Sequence, residues 1–340
     1  MRRTITVVAL LAFLVVGAGG IWWLFAASLL ERQVQLAISE GEKRGYSVNV
    51  DSSEKAGFPD FVRVVLRNVR IESGGNSHPH SAEFEEIVVW SRPWSPGDVF
   101  FESRKPHAWR WRDGVEAPER RADIATMFGT LTHRLDASGW RSTLDFLDIN
   151  VSADEPLASG IASIESLSGQ FELPLDRSIL WFNFRLDQMT LAQETLFGSS
   201  VHSATADGSI VPIPAGADAD HLHQWRQAGG ELELFESSLS FETVSLTSRG
   251  KLALDGQRRP AGKLAVKLLE PSRVRAAVTD AGMISGDEAA LVRLGVGLLA
   301  RRDANGAEVL DAPVEFRDGL AWLGPIAVFP VPPLAAPKGR

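Results

Sequence analysis

The chain has 340 residues, 43 acidic against 35 basic side chains, a net charge of −8 and no cysteine. That balance leaves no polybasic footprint for nucleic acid or anionic headgroups. The missing thiols exclude disulfide staples and a thiolate zinc site.

Arg2 and Arg3 precede an uncharged run, Thr4 to Leu30, and Glu31 and Arg32 follow it. The run exceeds the ~20 apolar residues a helix needs to cross a bilayer core. A helix also pairs every backbone N–H and C=O internally, as hydrocarbon demands. Trp22 and Trp23 stand near its far end, where indoles favour the membrane–water interface, and the basic pair predicts a cytoplasmic amino terminus. The expectation is a cytoplasmic stub and transmembrane anchor over 1–30, held in the inner membrane. Residues 31–329 then form a β-rich domain in the periplasm of a Gram-negative cell, and 330–340 a Pro-rich, frayed tail. The alternative is a cleaved signal peptide, whose apolar core runs only about 7–15 residues. Small residues do occur at Ala18–Gly20 and Ala26–Ser28, but the apolar character continues through Phe25, which favours retention.

Helical periodicity continues from the anchor over 28–45, through Leu30, Val34 and Ile38, and Gly45 ends it. Alternation then predicts strands over Ser47–Asp51, Phe61–Ile71, Phe84–Trp90, Val99–Phe101 and His107–Arg112. Gly57-Phe58-Pro59, residues 73–80 and residues 91–98 interrupt them as turns. Residues 113–140 are the most polar stretch and a possible sub-boundary. Within them Ile124, Met127, Phe128 and Leu131 suggest a helix over Ala122–Leu135.

Strands resume over Ser142–Ser152, Ile161–Leu173 and Leu180–Leu191. Val211–Asp220 reads as a loop and Ala219–Ala228 as a short helix stopped by Gly229-Gly230. From residue 231 the β signal is strongest. Lys251–Gly256 and Gly262–Leu268 predict an antiparallel pair. Pro271–Ala281 and Asp287–Arg301 read as helices, and Val309–Arg317 with Leu320–Val328 as a hairpin through Asp318-Gly319. The fold class is mainly β (α+β): an N-terminal transmembrane helix, then a long antiparallel, curved sheet with a few helices packed on it.

Four features fall in a telling order: Gly57-Phe58-Pro59 before a strand, Arg92-Pro93 followed by Pro96, the G-x-L-x-L-D-G…G-x-L-x-V element over Gly250–Lys267, and Gly319-Leu320 leading to Leu323-Gly324-Pro325 and Pro332-Pro333-Leu334. In this the sequence resembles an uncharacterised bacterial family, domain of unknown function 2125, over nearly the whole exported part. The anchor and the G-x-L-x-L-D-G hairpin also look like those of AsmA-like envelope proteins. That second resemblance implies a sheet with an apolar inner face, associated with lipid handling or outer-membrane homeostasis.

Candidate chemistry is sparse. His78-Pro79-His80 and His221-Leu222-His223 are H-x-H pairs without an identifiable third ligand, so surface histidines are the better reading. Ser52-Ser53-Glu54-Lys55 matches S-x-x-K without its S-D-N and K-T-G companions. No catalytic, cofactor or metal residue is nominated. Trp90, Trp94, Trp109 and Trp111 lie close in sequence, and Trp109 and Trp111 share a strand face, either as a ligand wall or as a core cluster. An apolar groove is expected along Trp90, Trp109, Trp111, Leu180, Phe182, Phe184, Leu252, Leu254, Leu264 and Val266. The reading is a non-enzymatic, membrane-anchored envelope protein that binds or shields lipid. A scaffold docking an envelope protein, or a periplasmic hydrolase, are the alternatives.

Overall fold

The computed structural model describes residues 2–43, 45–73, 79–112, 118–134, 139–153, 160–174, 176, 178–195, 197–214, 219–242, 244–280, 300–302, 306–324 and 326–334. Among these the chain is mainly β, with three helices and seventeen strands, and every described strand pairing is antiparallel. The fold divides into two units, Met1–His133 with Arg141–Pro156, and Arg134–Trp140 with Leu157–Arg340.

The first unit opens with helix α1 (Arg2–Lys43) and strands β1 (Tyr46–Ala56), β2 (Val62–Ser73), β3 (His80–Arg92), β4 (Ser95–Ser103), β5 (His107–Trp111) and β6 (Arg120–Arg134). Strand β7 (Gly139–Ala153) follows and is shared between the two units. β2 pairs with β1 and β3, and β3 continues to β4 and β5. The core lies between α1 and this sheet. Ala26, Ala27, Leu30 and Val34 form one helical stripe, and they bury Val62, Val64, Leu66 and Val69 of β2. Two alanines in the stripe let the helix approach the strand closely.

The inward pattern on β2 runs Val62, Val64, Leu66 and then slips to Val69. Asn68 makes the slip possible with a left-handed backbone, φ 49°, which Asn tolerates better than most residues. Its side chain donates to Asp51 Oδ2 at 2.9 Å. β6 slips in the same way: Ala122 and Ile124 are buried, then Met127 and Gly129.

Sequence reading takes that three-residue step for a helix over Ala122–Leu135. The structure has a strand there, hydrogen-bonded to β4 and β5.

The second unit contains β8 (Ile161–Pro174), β9 (Leu180–Thr195), β10 (Gly198–Val211), α2 (Ala219–Gln227), β11 (Glu231–Phe241), β12 (Ser245–Leu254), β13 (Pro260–Leu269), α3 (Pro271–Asp280), β14 (Ala300–Arg302), β15 (Glu308–Arg317), β16 (Leu320–Leu323) and β17 (Ile326–Pro330). Consecutive strands pair from β8 through β13, and β13 then pairs β15. The expected β12–β13 pair and the Asp318-Gly319 turn are present, the latter with φ 53° and 74°. Three expectations change. β10 occupies a stretch with no predicted element. Leu320–Val328 is two strands that turn at Gly324. The tail is tied as far as Leu334, whose N–H donates to the Arg258 carbonyl, while Val331 N–H donates to Gly319. The helix expected over Asp287–Arg301 lies outside the described residues except for its last two, which belong to β14.

Among the described residues no helix is long and apolar enough to cross a membrane. The side chains of residues 1–18, most of the uncharged run, lie outside the described set.

Candidate functional site

The second unit builds one apolar surface from cross-strand neighbours. Directly opposed residues on paired strands share a face. One row runs Phe171, Phe182, Gly208, Leu234, Gly250, Leu264, Val314 and Leu323, a residue each from β8 to β13, β15 and β16. The next runs Leu180, Ile210, Leu232, Leu252, Gly262, Phe316 and Ala321. On the other side lies a row of Leu167, Leu186, Ala204, Leu239, Leu246, Leu268 and Leu310. At about 4.8 Å per strand the first row spans some ~34 Å.

The opposite face is charged. Lys251 Nζ lies 2.7 Å from Glu231 and 3.3 Å from Glu233, and Lys263 faces Glu315. A bulge at Phe235-Glu236 preserves the division. It lets Leu234 and Leu239 stay on the apolar side and turns Phe235 outward, where its ring stacks on Trp181 at 5.5 Å.

Glycines set the relief of the apolar surface. The Phe182 ring lies over Gly208, where an added Cβ would meet it at 2.8 Å. In the β12–β13 pair, Gly250 stands opposite Leu264 and Gly262 opposite Leu252. Each G-x-L thus sets its glycine against the leucine of the other strand. Both glycines have φ near +145°. Phe182, Leu254 and Leu264 are buried, Leu180, Leu252 and Val266 half-buried, and Phe184 exposed. Helix α3 lies against β15 at the margin, and Ser272 Oγ donates to Glu308 Oε2 there. Trp225 of α2 packs over Gly230 and donates to the Pro212 carbonyl at 2.5 Å.

Seven expected groove residues therefore share one face of the second unit: Leu180, Phe182, Phe184, Leu252, Leu254, Leu264 and Val266. The three tryptophans do not form one wall. Trp109 and Trp111 share a face of β5, with Ala82 and His80 as rung-mates on β3. Trp90 lies eight residues further along β3 than Ala82, about 26 Å at 3.3 Å per residue. Its ring stacks on Phe100 at 4.1 Å and meets Phe61 edge-on at 5.4 Å.

A family match over residues 23–332 covers most of both units and is described as an uncharacterized protein conserved in bacteria, DUF2125. The chain belongs to the DUF2125 family. No curated protein and no solved structure matches it.

Polar candidates in this DUF2125 chain lie in the first unit. A cleft of about 520 Å³ is lined by Asn49, Asp51, Arg70, Glu83, His107 and Asp123, among others. Glu83 accepts from Arg110 at 2.9 Å and Arg70 at 3.0 Å. The Arg110 hydrogen bond, partly opposed by burial, holds its carboxyl below the usual range. Such an ionised, neutralised carboxylate is a poor proton donor. Burial pushes the His107 imidazole down, and its ring stacks on Phe84 at 4.8 Å. His107 Nε2 is buried without a hydrogen-bond partner among the described residues.

Of the H-x-H pairs, His78 lies outside the described residues. His80 N–H donates to Ser73, and the His223 ring contacts Gln227. Ser52 and Lys55 are three apart on a strand, hence on opposite faces, and Lys55 pairs with Glu31 of α1 at 2.7 Å.

The sequence reading missed the glycine half of the apolar rows. It saw the leucines of β12 and β13 but not Gly208, Gly250 and Gly262 as their cross-strand complements. The signal was present in the spacing of the two G-x-L elements.

Proposed function

We propose that this protein is an inner-membrane-anchored envelope protein that holds lipid acyl chains against the apolar face of its second unit. The observation that carries the reading is the set of apolar and glycine rows running across β8–β16, opposite a charged face. A half-buried apolar surface of that extent on one side of an amphipathic sheet is the kind that binds apolar partners. The uncharged run Thr4–Leu30 behind Arg2 and Arg3 supports a retained anchor. The likeness of the Gly250–Lys267 element to AsmA-like envelope proteins supports the lipid assignment by analogy.

The test uses a form beginning at Gly19, because a form starting after Leu30 would strip Ala26, Ala27 and Leu30 from the first unit's core. It should take up a fluorescent fatty-acid probe. Leu252→Glu with Val266→Glu should weaken uptake by about tenfold or more, since each lost methylene contact is worth roughly 0.8 kcal/mol. Equal uptake by both forms would reject the face as the lipid site and favour a scaffold role.

A further inference from the structure

The outward face of α1 changes character along its length. Ile21, Trp22, Leu24 and Phe25 are exposed and apolar. Beyond Glu31 the outward residues are mostly polar, with Arg32, Gln33, Gln35 and Glu40 exposed around a single large apolar side chain, Leu36.

Two other segments are tied to α1 at the level of its exposed aromatics. The Trp22 indole N–H donates to the Pro93 carbonyl at 2.9 Å, and that of Trp23 to the Phe61 carbonyl at 2.7 Å. These bonds draw in the β3–β4 turn and the β1–β2 loop. The turn presents Trp94, 67 % exposed, and the loop presents Phe58, 58 % exposed. Phe58 also meets the Trp23 ring edge-on at 5.6 Å. Single exposed apolar side chains are ordinary. Six large ones gathered from three segments make a patch that calls for a partner.

We propose that Phe58 and Trp94 dip into the membrane interface beside the anchor and seat the first unit on the bilayer. The inference rests on the anchor reading above. The occupant is lipid because the patch continues directly into the uncharged run of the same helix. Thr4–Phe25 is about 33 Å of helix, close to the ~30 Å hydrocarbon core, which sets Trp22 and Phe25 at the interface. The Trp22 and Trp23 donors are already satisfied by protein carbonyls, so their rings enter a low-dielectric layer without an unpaired N–H. Asp60, Arg63 and Arg92 stand beside the patch, far short of a polybasic cluster, so seating depends on apolar contact rather than on anionic lipid.

The absence of native cysteine makes site-directed labelling clean. Full-length Phe58→Cys, Trp94→Cys and Glu72→Cys variants, each carrying an NBD fluorophore, would be reconstituted into phosphatidylcholine vesicles with shallow nitroxide lipids. Glu72 sits at the far end of β2, ten residues from Val62, and serves as the aqueous reference. The probes at 58 and 94 should shift to the blue and be quenched by the nitroxide lipid, with no dependence on added anionic lipid. The probe at 72 should do neither. If all three stay equally wet while the protein remains carbonate-resistant in the vesicles, seating is overturned and the anchor stands. If the protein washes off, both fall.

Discussion

Gly250→Ala should lower the urea midpoint of the second unit, at a cost on the order of 3 kcal/mol. The residue has φ +146°, where side chains rarely fit. A Cβ there would lie 2.2 Å from the Lys263 carbonyl oxygen and 3.0 Å from Leu264 Cα. Both obstacles are backbone of the paired strand, so relief means parting β12 from β13. These two strands sit in the middle of the apolar rows, so the loss spreads to β11 and β15. Gly256→Ala is the control. It lies in the turn between the same strands with nothing within 4 Å of its added Cβ, and should change stability by less than about 1 kcal/mol. Equal effects at the two positions would refute the backbone argument.

Val64→Asp should be similarly damaging in the first unit. Val64 is 0 % exposed and lies in the cluster of Ala26, Ala27 and Leu30. Its rung-mate on β1 is Lys55, whose ammonium is held by Glu31 at 2.7 Å, so an aspartate there must be buried protonated or draw Lys55 away from that pair. A cost of about 4 kcal/mol is expected, against roughly 2 kcal/mol for Val64→Ala, which only empties volume. Because the lost contact is between helix and sheet, α1 should come loose. Limited proteolysis should then cut at Arg32 and Lys43, sites that the packed helix protects. An unchanged digestion pattern would mean that α1 does not depend on this core.

The two substitutions also mark what the sequence discloses. Strands β11 to β13 were legible because Leu, Val or Gly recurs at every second position over Leu232–Leu234, Gly250–Leu254 and Gly262–Leu268, with Lys or Glu at most positions between. The Asp318-Gly319 turn was legible from chemistry, since both residues accept positive φ. β6 was not. Its buried residues step from Ile124 to Met127, and that interval of three imitates a helix. The cause is a slip in the inward pattern that also passes through Asn68 on β2, and local periodicity carries no record of a neighbouring strand. β10 was missed because its inner positions, Ala204, Ala206 and Gly208, are small. They are small because rings and leucines from β9 and β11 occupy the space above them.

The candidate site divides along the same line. The shared face of the seven candidate residues in the second unit follows from strand parity, which sequence carries well. The Trp90, Trp109 and Trp111 grouping fails because proximity in sequence says nothing about which rung each residue reaches. In α1 the apolar stripe that packs on β2 and the apolar run that precedes it look identical in composition. Only the partners Val62, Val64, Leu66 and Val69 separate the two roles.

The most direct test of lipid holding is photolabelling of the vesicle-reconstituted full-length protein with a diazirine-tailed fatty acid, followed by peptide mapping. Adducts on the inward residues of β9 to β13, around Leu232, Leu252 and Val266, are the predicted result. Adducts confined to the uncharged run and its interfacial aromatics would contradict the account and reduce the chain's lipid contact to its anchor.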